Sequence, residues 1–412
     1  MALEIRPFRP EEADAFFRVP AIVFGNYRGD RRDADVASVL PDWTLCAFED
    51  GELATTYAAY PFGMRLNGRK ASVAGVTFVG TLPWFRRRGH LRKIMEYDFK
   101  RRYEQRMEPI AVLLASIAAI YQRYGYAVCS SRQAYSIDPR LIAFAPSLPA
   151  AKGCWREGTR DELPLLESLY REFVKERNGY LHRAPVIWEG QVLGLSAAGV
   201  TAAEAGPSLV AIYEEDGAPK GYVTYAAKSY DTHPDAAGPG QRVMIRDCAW
   251  LTASAYRAMW EHFSSFDLAR RITWDRAPAD DPAFDILLDP RELHATRGDW
   301  LVGRIIDVER ALIARPYGHE GTLTFEVRDA MCPWNAGRWT LEASQEASTM
   351  RRSTETAQLT LDVSALAQLL FGELSPSNAV RYGRAETSPD APLALWDAVF
   401  RTRYAPSCPD MF

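Results

Sequence analysis

Three consecutive arginines meet a glycine and a histidine at Arg86-Arg87-Arg88-Gly89-His90. They stand between the run Phe78-Val79-Gly80-Thr81 and a stretch with Leu91, Ile94, Met95, Phe99 and Tyr103 at helical spacing. A helix that starts at such a turn offers unpaired backbone N–H groups and the positive end of its dipole, and Gly89 lets the backbone approach a ligand closely. Phosphate binding suits that arrangement, and three guanidinium groups extend it to a diphosphate. An arginine cluster by itself is more often solvated surface; its place between a strand and an amphipathic helix favours the ligand. The glycines follow neither GxGxxG nor GxxxxGK[ST], which argues against a dinucleotide fingerprint and a triphosphatase loop.

Other chemistries lack their residues. The six cysteines (Cys46, Cys129, Cys154, Cys248, Cys332 and Cys408) are far apart with no CxxC, so buried free thiols are expected rather than zinc or disulfides. The six histidines make no His-x-x-x-His pair, and no metal is assigned. A serine hydrolase would need a Gly-x-Ser-x-Gly elbow, and none appears. With 49 Lys and Arg against 53 Asp and Glu, the net charge of -4 speaks against a nucleic-acid binder and a polybasic membrane protein, leaving a small molecule or a protein as partner. No stretch approaches the roughly 20 apolar residues of a membrane span. The start, Met1 to Arg9, has no signal-peptide core, so a cytoplasmic location is expected.

The elements that must position the arginine turn follow from local pattern. A strand at Leu3 and Ile5 leads into a helix opened by Pro10-Glu11-Glu12. Strand-like runs then flank Asp50-Gly51 and Asn67-Gly68, both strong hairpin turns, and end at Thr81. Another apolar strand spans Ile110 to Ser116, followed by Ile120-Tyr121-Gln122-Arg123-Tyr124-Gly125-Tyr126 and a strand through Cys129. Residues 145–153 have linker composition. From Cys154 the strand and acidic helix start recur, and strands near residues 221–227 and 242–250 precede a helix that starts over Leu251 to Trp260, this time without the Arg-rich turn. This reads as a diverged duplicate that lost the ligand loop. The last third, from about Leu288, reads as an α+β domain of one core. The fold class is thus mixed α+β, with expected domains at 1–150, 151–287 and 288–412.

The turn Arg86-x-x-Gly89-x-Leu91 after Phe78 to Thr81 resembles the pyrophosphate loop of the GCN5-related N-acetyltransferases, with Leu91 in place of the usual small final residue. Taken with Ile120 to Tyr126, Arg304 to Leu312 and Tyr317-Gly318-His319-Glu320, the chain resembles the enhanced intracellular survival (Eis) acetyltransferases. The resemblance implies two tandem acetyltransferase-like domains, the first active and the second degenerate, and a sterol-carrier-protein-like domain. It implies acetyl transfer from acetyl-CoA to a primary amine of a small molecule or a lysine side chain. Phe78, Val79, Thr81 and Ser116 would meet the cofactor arm, Arg86, Arg87, Arg88, Gly89 and His90 the pyrophosphate, and Phe24 and Asn26 the acceptor. Tyr121 would be the general acid and the Phe412 carboxylate the base; an α-carboxylate of reference pKa about 3.5 must be raised by burial to serve. Homo-trimers or hexamers are implied too. Drug-acetylating members carry acidic residues near Asn26 and Met411, and the turn Ile117-Ala118-Ala119 is acidic and glycine-rich in the family, which speaks against aminoglycosides. The alternative is a non-catalytic protein that binds acetyl-CoA or lipid with the same folds.

Overall fold

The computed structural model describes residues 2–25, 39–195, 206–228 and 240–412. The chain forms two compact units: Met1–Cys129 with Trp300–Thr402 and Phe412, and Ser130–Asp299 with Arg403–Met411.

In the first unit, β1 (Leu3–Arg6), β2 (Cys46–Glu49), β3 (Glu52–Leu66), β4 (Arg69–Thr81), β5 (Ile110–Leu114) and β6 (Ala127–Val128) precede the crossing to the second. Seven strands follow there: β7 (Ser131–Ile137), β8 (Cys154–Gly158), β9 (Leu209–Glu215), β10 (Ala218–Lys228), β11 (Gln241–Trp250), β12 (Ala269–Pro278) and β13 (Thr296–Asp299). β14 (Leu301–Ile305) returns to the first unit. The sheets are ordered β1-β2-β3-β4-β5-β14-β6 and β8-β9-β10-β11-β12-β7-β13. Strand for strand the two correspond, and the sixth place of each is filled from outside its own stretch of chain. Pairing therefore crosses the expected boundaries at 150 and 287: β7 was expected with the first domain and β14 with the last. Each lies antiparallel on the strand whose edge would otherwise be open, β14 on β5 and β7 on β12.

Both anticipated hairpins form. Asp50 and Gly51 have φ of 50° and 89°, Asn67 and Gly68 of 47° and 90°, the two positive values that a two-residue turn matched to strand twist requires. Helix α1 (Ala13–Val23) covers one face of the first sheet, burying Phe16, Phe17 and Val19 with Phe48 and Ala58. Helix α2 (His90–Glu104) covers the other, burying Ile94, Met95 and Phe99 against Tyr57, Val76 and Leu113. A short α3 (Ala118–Gln122) follows β5. In the second unit α4 (Leu163–Phe173) and α5 (Ala253–Ser264) repeat the pattern.

The C-terminal third adds a sheet ordered β17 (Thr349–Arg352), β16 (Gly337–Ala343), β15 (Gly321–Arg328), β18 (Leu359–Asp362) and β19 (Ala385–Thr387). Helices α6 (Val363–Phe371) and α7 (Leu393–Phe400) accompany it, with Trp396 buried between Phe325 and Phe400. Arg304 of β14 is fully buried and donates to both oxygens of Asp329, at 2.9 and 2.8 Å. That pair ties this third to the first sheet; breaking one buried partner costs about 3–5 kcal/mol.

Candidate active site

Strand β4 pairs with β5 in parallel only from Val73↔Ile110 to Val76↔Leu113. Beyond that the two part, because β5 ends at Leu114 while β4 continues to Thr81. The parting coincides with a bulge: Thr56 pairs Gly80 and Ala58 pairs Thr77, so Phe78 and Val79 together face Tyr57. Phe78 takes φ +51°, rare for a bulky side chain, and is held by Thr56 Oγ1 donating to its carbonyl at 2.8 Å and by the rings of Phe16 and Phe17. The backbone of β4 past the bulge has no partner in β5. An extended ligand can take that edge by strand-like hydrogen bonding.

The same strand runs straight into the arginine turn. A 3-10 turn at Pro83–Phe85 leads to Arg87 at φ 65° and Gly89 at φ 82°, the latter the N-cap of α2 with no side-chain cap. A Cβ at Gly89 would touch nothing within 4 Å, so the backbone angle, not space, demands the glycine. The N–H groups of the first helical turn have no intrahelical acceptor. Arg86 donates through Nε to Thr81 O at 3.2 Å, and Arg86 and Arg87 are exposed. Arg88 pairs with Glu49, while His90 Nε2 lies 2.8 Å from Glu49 Oε2, both residues buried. The His90 side chain is thus turned to a carboxylate, leaving its backbone to the turn. Glu49 itself carries no sequence pattern that would have singled it out.

The remaining sequence-derived residues fall into three places. Ser116 is exposed just beyond β5, and Tyr121 follows on α3. The Tyr121 ring meets Tyr126 edge-on at 5.8 Å, and burial, with Tyr124 nearby, pushes its hydroxyl up to about 12. The Phe412 ring packs 5.1 Å from Phe62 and would be 3.2 Å from a Cβ on Gly75, the residue immediately before the last β4–β5 pair. Phe24 sits half-exposed at the end of α1; Asn26 lies outside the described residues.

Comparison with known proteins agrees with this geometry. Residues 4–129 and 179–305 each match an acetyltransferase (GNAT) domain family, and residues 308–409 a sterol carrier protein domain family. An uncharacterized N-acetyltransferase of Streptomyces griseus is 31% identical over 425 residues, covering 100% of both chains. N-acetyltransferase Eis of Mycobacterium tuberculosis is 27% identical over 79% of this chain and 77% of its own. The crystal structure of Eis1 from Mycobacterium abscessus superposes with a TM-score of 0.82 at 27% identity, covering 99% of this chain and 100% of the other. The chain belongs to the Eis-like GNAT acetyltransferases.

As an Eis-like acetyltransferase it takes acetyl-CoA as co-substrate and an amine as acceptor. Its second unit carries the same parting of strands, β11 and β12 ceasing to pair after Met244↔Thr273, but in altered form. Helix α5 is capped by Thr252, whose Oγ1 accepts from Ala255 N at 3.0 Å and donates to Glu215 at 2.6 Å, so a hydroxyl and a carboxylate stand where an anion would bind. The C-terminal segment is pinned in this unit. Arg183 pairs with both oxygens of Asp247 at 2.7 Å and with Asp410 at 2.8 Å, and lies over the Tyr170 ring at 3.9 Å. Arg276 donates to Pro409 O at 2.7 Å, and the Gln191 amide holds both Met411 N and Met411 O. Asp410 is 2% exposed.

Proposed function

We propose that the first unit is the catalytic one and transfers acetyl to a primary amine, with the second unit degenerate. The observation that carries this is the continuity of the parted, bulged β4 with the Gly89-capped turn: an edge for the cofactor arm and an anion site at its end, on one stretch of chain. Arg86, Arg87 and the N–H groups of the α2 start would hold the pyrophosphate, with Arg88 and His90 braced by Glu49. Phe78, Val79 and Thr81 would meet the arm, with Ser116 facing it from the end of β5.

The Phe412 carboxylate would take a proton from the amine. The neutral nitrogen forms the new C–N bond as the C–S bond breaks, and the Tyr121 hydroxyl supports the leaving thiolate. A phenol near 12 is uphill of a thiol near 8.5 by ~5 kcal/mol, so Tyr121 acts first as a hydrogen-bond donor. The proton it ultimately lends is restored by the one removed from the amine. Because Tyr121 stays protonated far above neutrality, the turnover profile should show no falling limb below about pH 11.

The test is thiol release from acetyl-CoA across an amine panel, with Tyr121→Phe alongside. Turnover should fall about 10- to 100-fold with acetyl-CoA affinity unchanged. Equal turnover would remove Tyr121 from the mechanism.

A further inference from the structure

In the second unit both parting strands are bulged just beyond their last shared pair. On β11, Thr224 pairs Asp247 and Tyr225 pairs Ile245, so Arg246 is an extra residue. On β12, Trp274 pairs Tyr135 and Ala277 pairs Gln133, so Asp275 and Arg276 together face Ala134. A bulge re-aims the side chains beside it. Arg246 and Arg276 here line one cavity of about 20 Å³, with the rings of Phe173, Trp250 and Trp274 around them. That is room for a single small occupant.

The cavity is short of negative charge. Arg276 donates to Pro409 O at 2.7 Å and to Gln191 Oε1 at 3.5 Å, and Arg246 to Ser208 Oγ at 2.9 Å and Gly206 O at 2.6 Å. Among the described residues neither makes an ion pair. Arg177 stacks on the Phe173 ring at 3.9 Å, likewise without a carboxylate. The carboxylates at hand, Asp247 and Asp410, are both held by Arg183, and Asp247 also accepts from the Tyr222 hydroxyl at 2.5 Å. Burial, with the charge of Arg276 nearby, holds Arg246 below the usual guanidinium range, and burial lowers Arg276 too. Four guanidinium groups thus stand against two carboxylates, and a buried charge without its partner is costly.

We propose that this cavity is a site for a small monoanion, a halide or a carboxylate group, held between Arg246 and Arg276. A water molecule fits by size but leaves the surplus charge uncompensated, whereas an anion takes charge-assisted hydrogen bonds from both guanidinium groups. The site lies at the two bulges and not at the start of α5, where Thr252 and Glu215 stand.

The test is the chlorine-35 line width of sodium chloride in the presence of the full chain, at constant ionic strength and with CoA added to occupy the arginine turn of the first unit. Excess width should saturate with chloride, and sodium gluconate, too large for the cavity, should not displace it. Acetate that competes marks a carboxylate as the occupant, and acetate without effect marks a halide; either supports the site. Arg246→Gln and Arg276→Gln should each weaken chloride by about tenfold, while Arg291→Gln, on an exposed side chain, leaves it unchanged. Arg246→Gln is the decisive variant, because Arg276 also holds Pro409, and a single cooperative melting transition checks that each variant folds. No saturable excess width, an excess that survives both cavity substitutions, or displacement by gluconate would overturn the proposal.

Discussion

The two seven-stranded sheets share an order and a parting of their fourth and fifth strands, yet the helix that follows the fourth strand starts differently in each. In the first unit the helix after the fourth strand begins at Gly89, with no side chain over its N–H groups and exposed arginines beside it. In the second it begins at Thr252, whose hydroxyl takes one of those N–H groups and brings Glu215 with it. The second parting is also filled from within, by Arg183, Asp247 and Arg276 with the segment ending at Met411. On the function proposed above, the same scaffold is a ligand site in one copy, while in the other it anchors the C-terminal segment. Site chemistry resides in the caps and the filling, not in the sheet.

Ways to break this contrast begin with the anchor. Arg183→Met leaves Asp247 and Asp410 buried with Arg276 as their remaining cation and without the hydrogen bonds of Arg183, and should destabilise the second unit by about 3–5 kcal/mol in urea unfolding. A loss under 1 kcal/mol would show the triad to be incidental. Next comes Asp281, buried among Tyr256, Tyr135 and Ala283 N at 2.6, 3.2 and 3.1 Å, its carboxyl pushed up to about 7 by burial. A carboxyl raised in the folded state binds its proton more tightly there than in the unfolded chain. Its contribution is therefore full below about pH 4 and lost as pH rises through about 7, by up to ~4 kcal/mol. Melting temperature should fall over that window, and the fall should flatten in Asp281→Asn.

Smaller effects separate the two helix starts. Gly89→Val forces a β-branched residue to φ 82°, costing about 1–2 kcal/mol, and should weaken acetyl-CoA binding by roughly tenfold. Thr252→Ala should cost about 1 kcal/mol of stability and leave acetyl-CoA affinity alone. Equal effects of the two substitutions on acetyl-CoA would erase the distinction.

Much of the first unit was legible because its signals are local. Asp50-Gly51 and Asn67-Gly68 can hardly make anything but their turns, and strand, Arg-rich turn and helix are consecutive in the chain. A third such turn, Asp216-Gly217 at φ 50° and 74°, joins β9 to β10 and carries the same local signal. What pattern could not show was long-range. The exchange of β7 and β14 depends on which sheet edge is open, and the pairing of His90 with Glu49 joins residues 41 apart. The bond of Arg183 to Asp410 joins residues 227 apart.

The most direct measurement is the stoichiometry of acetyl-CoA binding to the full chain by calorimetry, in the parent protein, Gly89→Val and Thr252→Ala. One site per chain, weakened by the first substitution and untouched by the second, is the result expected of a single competent parting. Two sites per chain, or a single site that answers to Thr252 rather than Gly89, would contradict it.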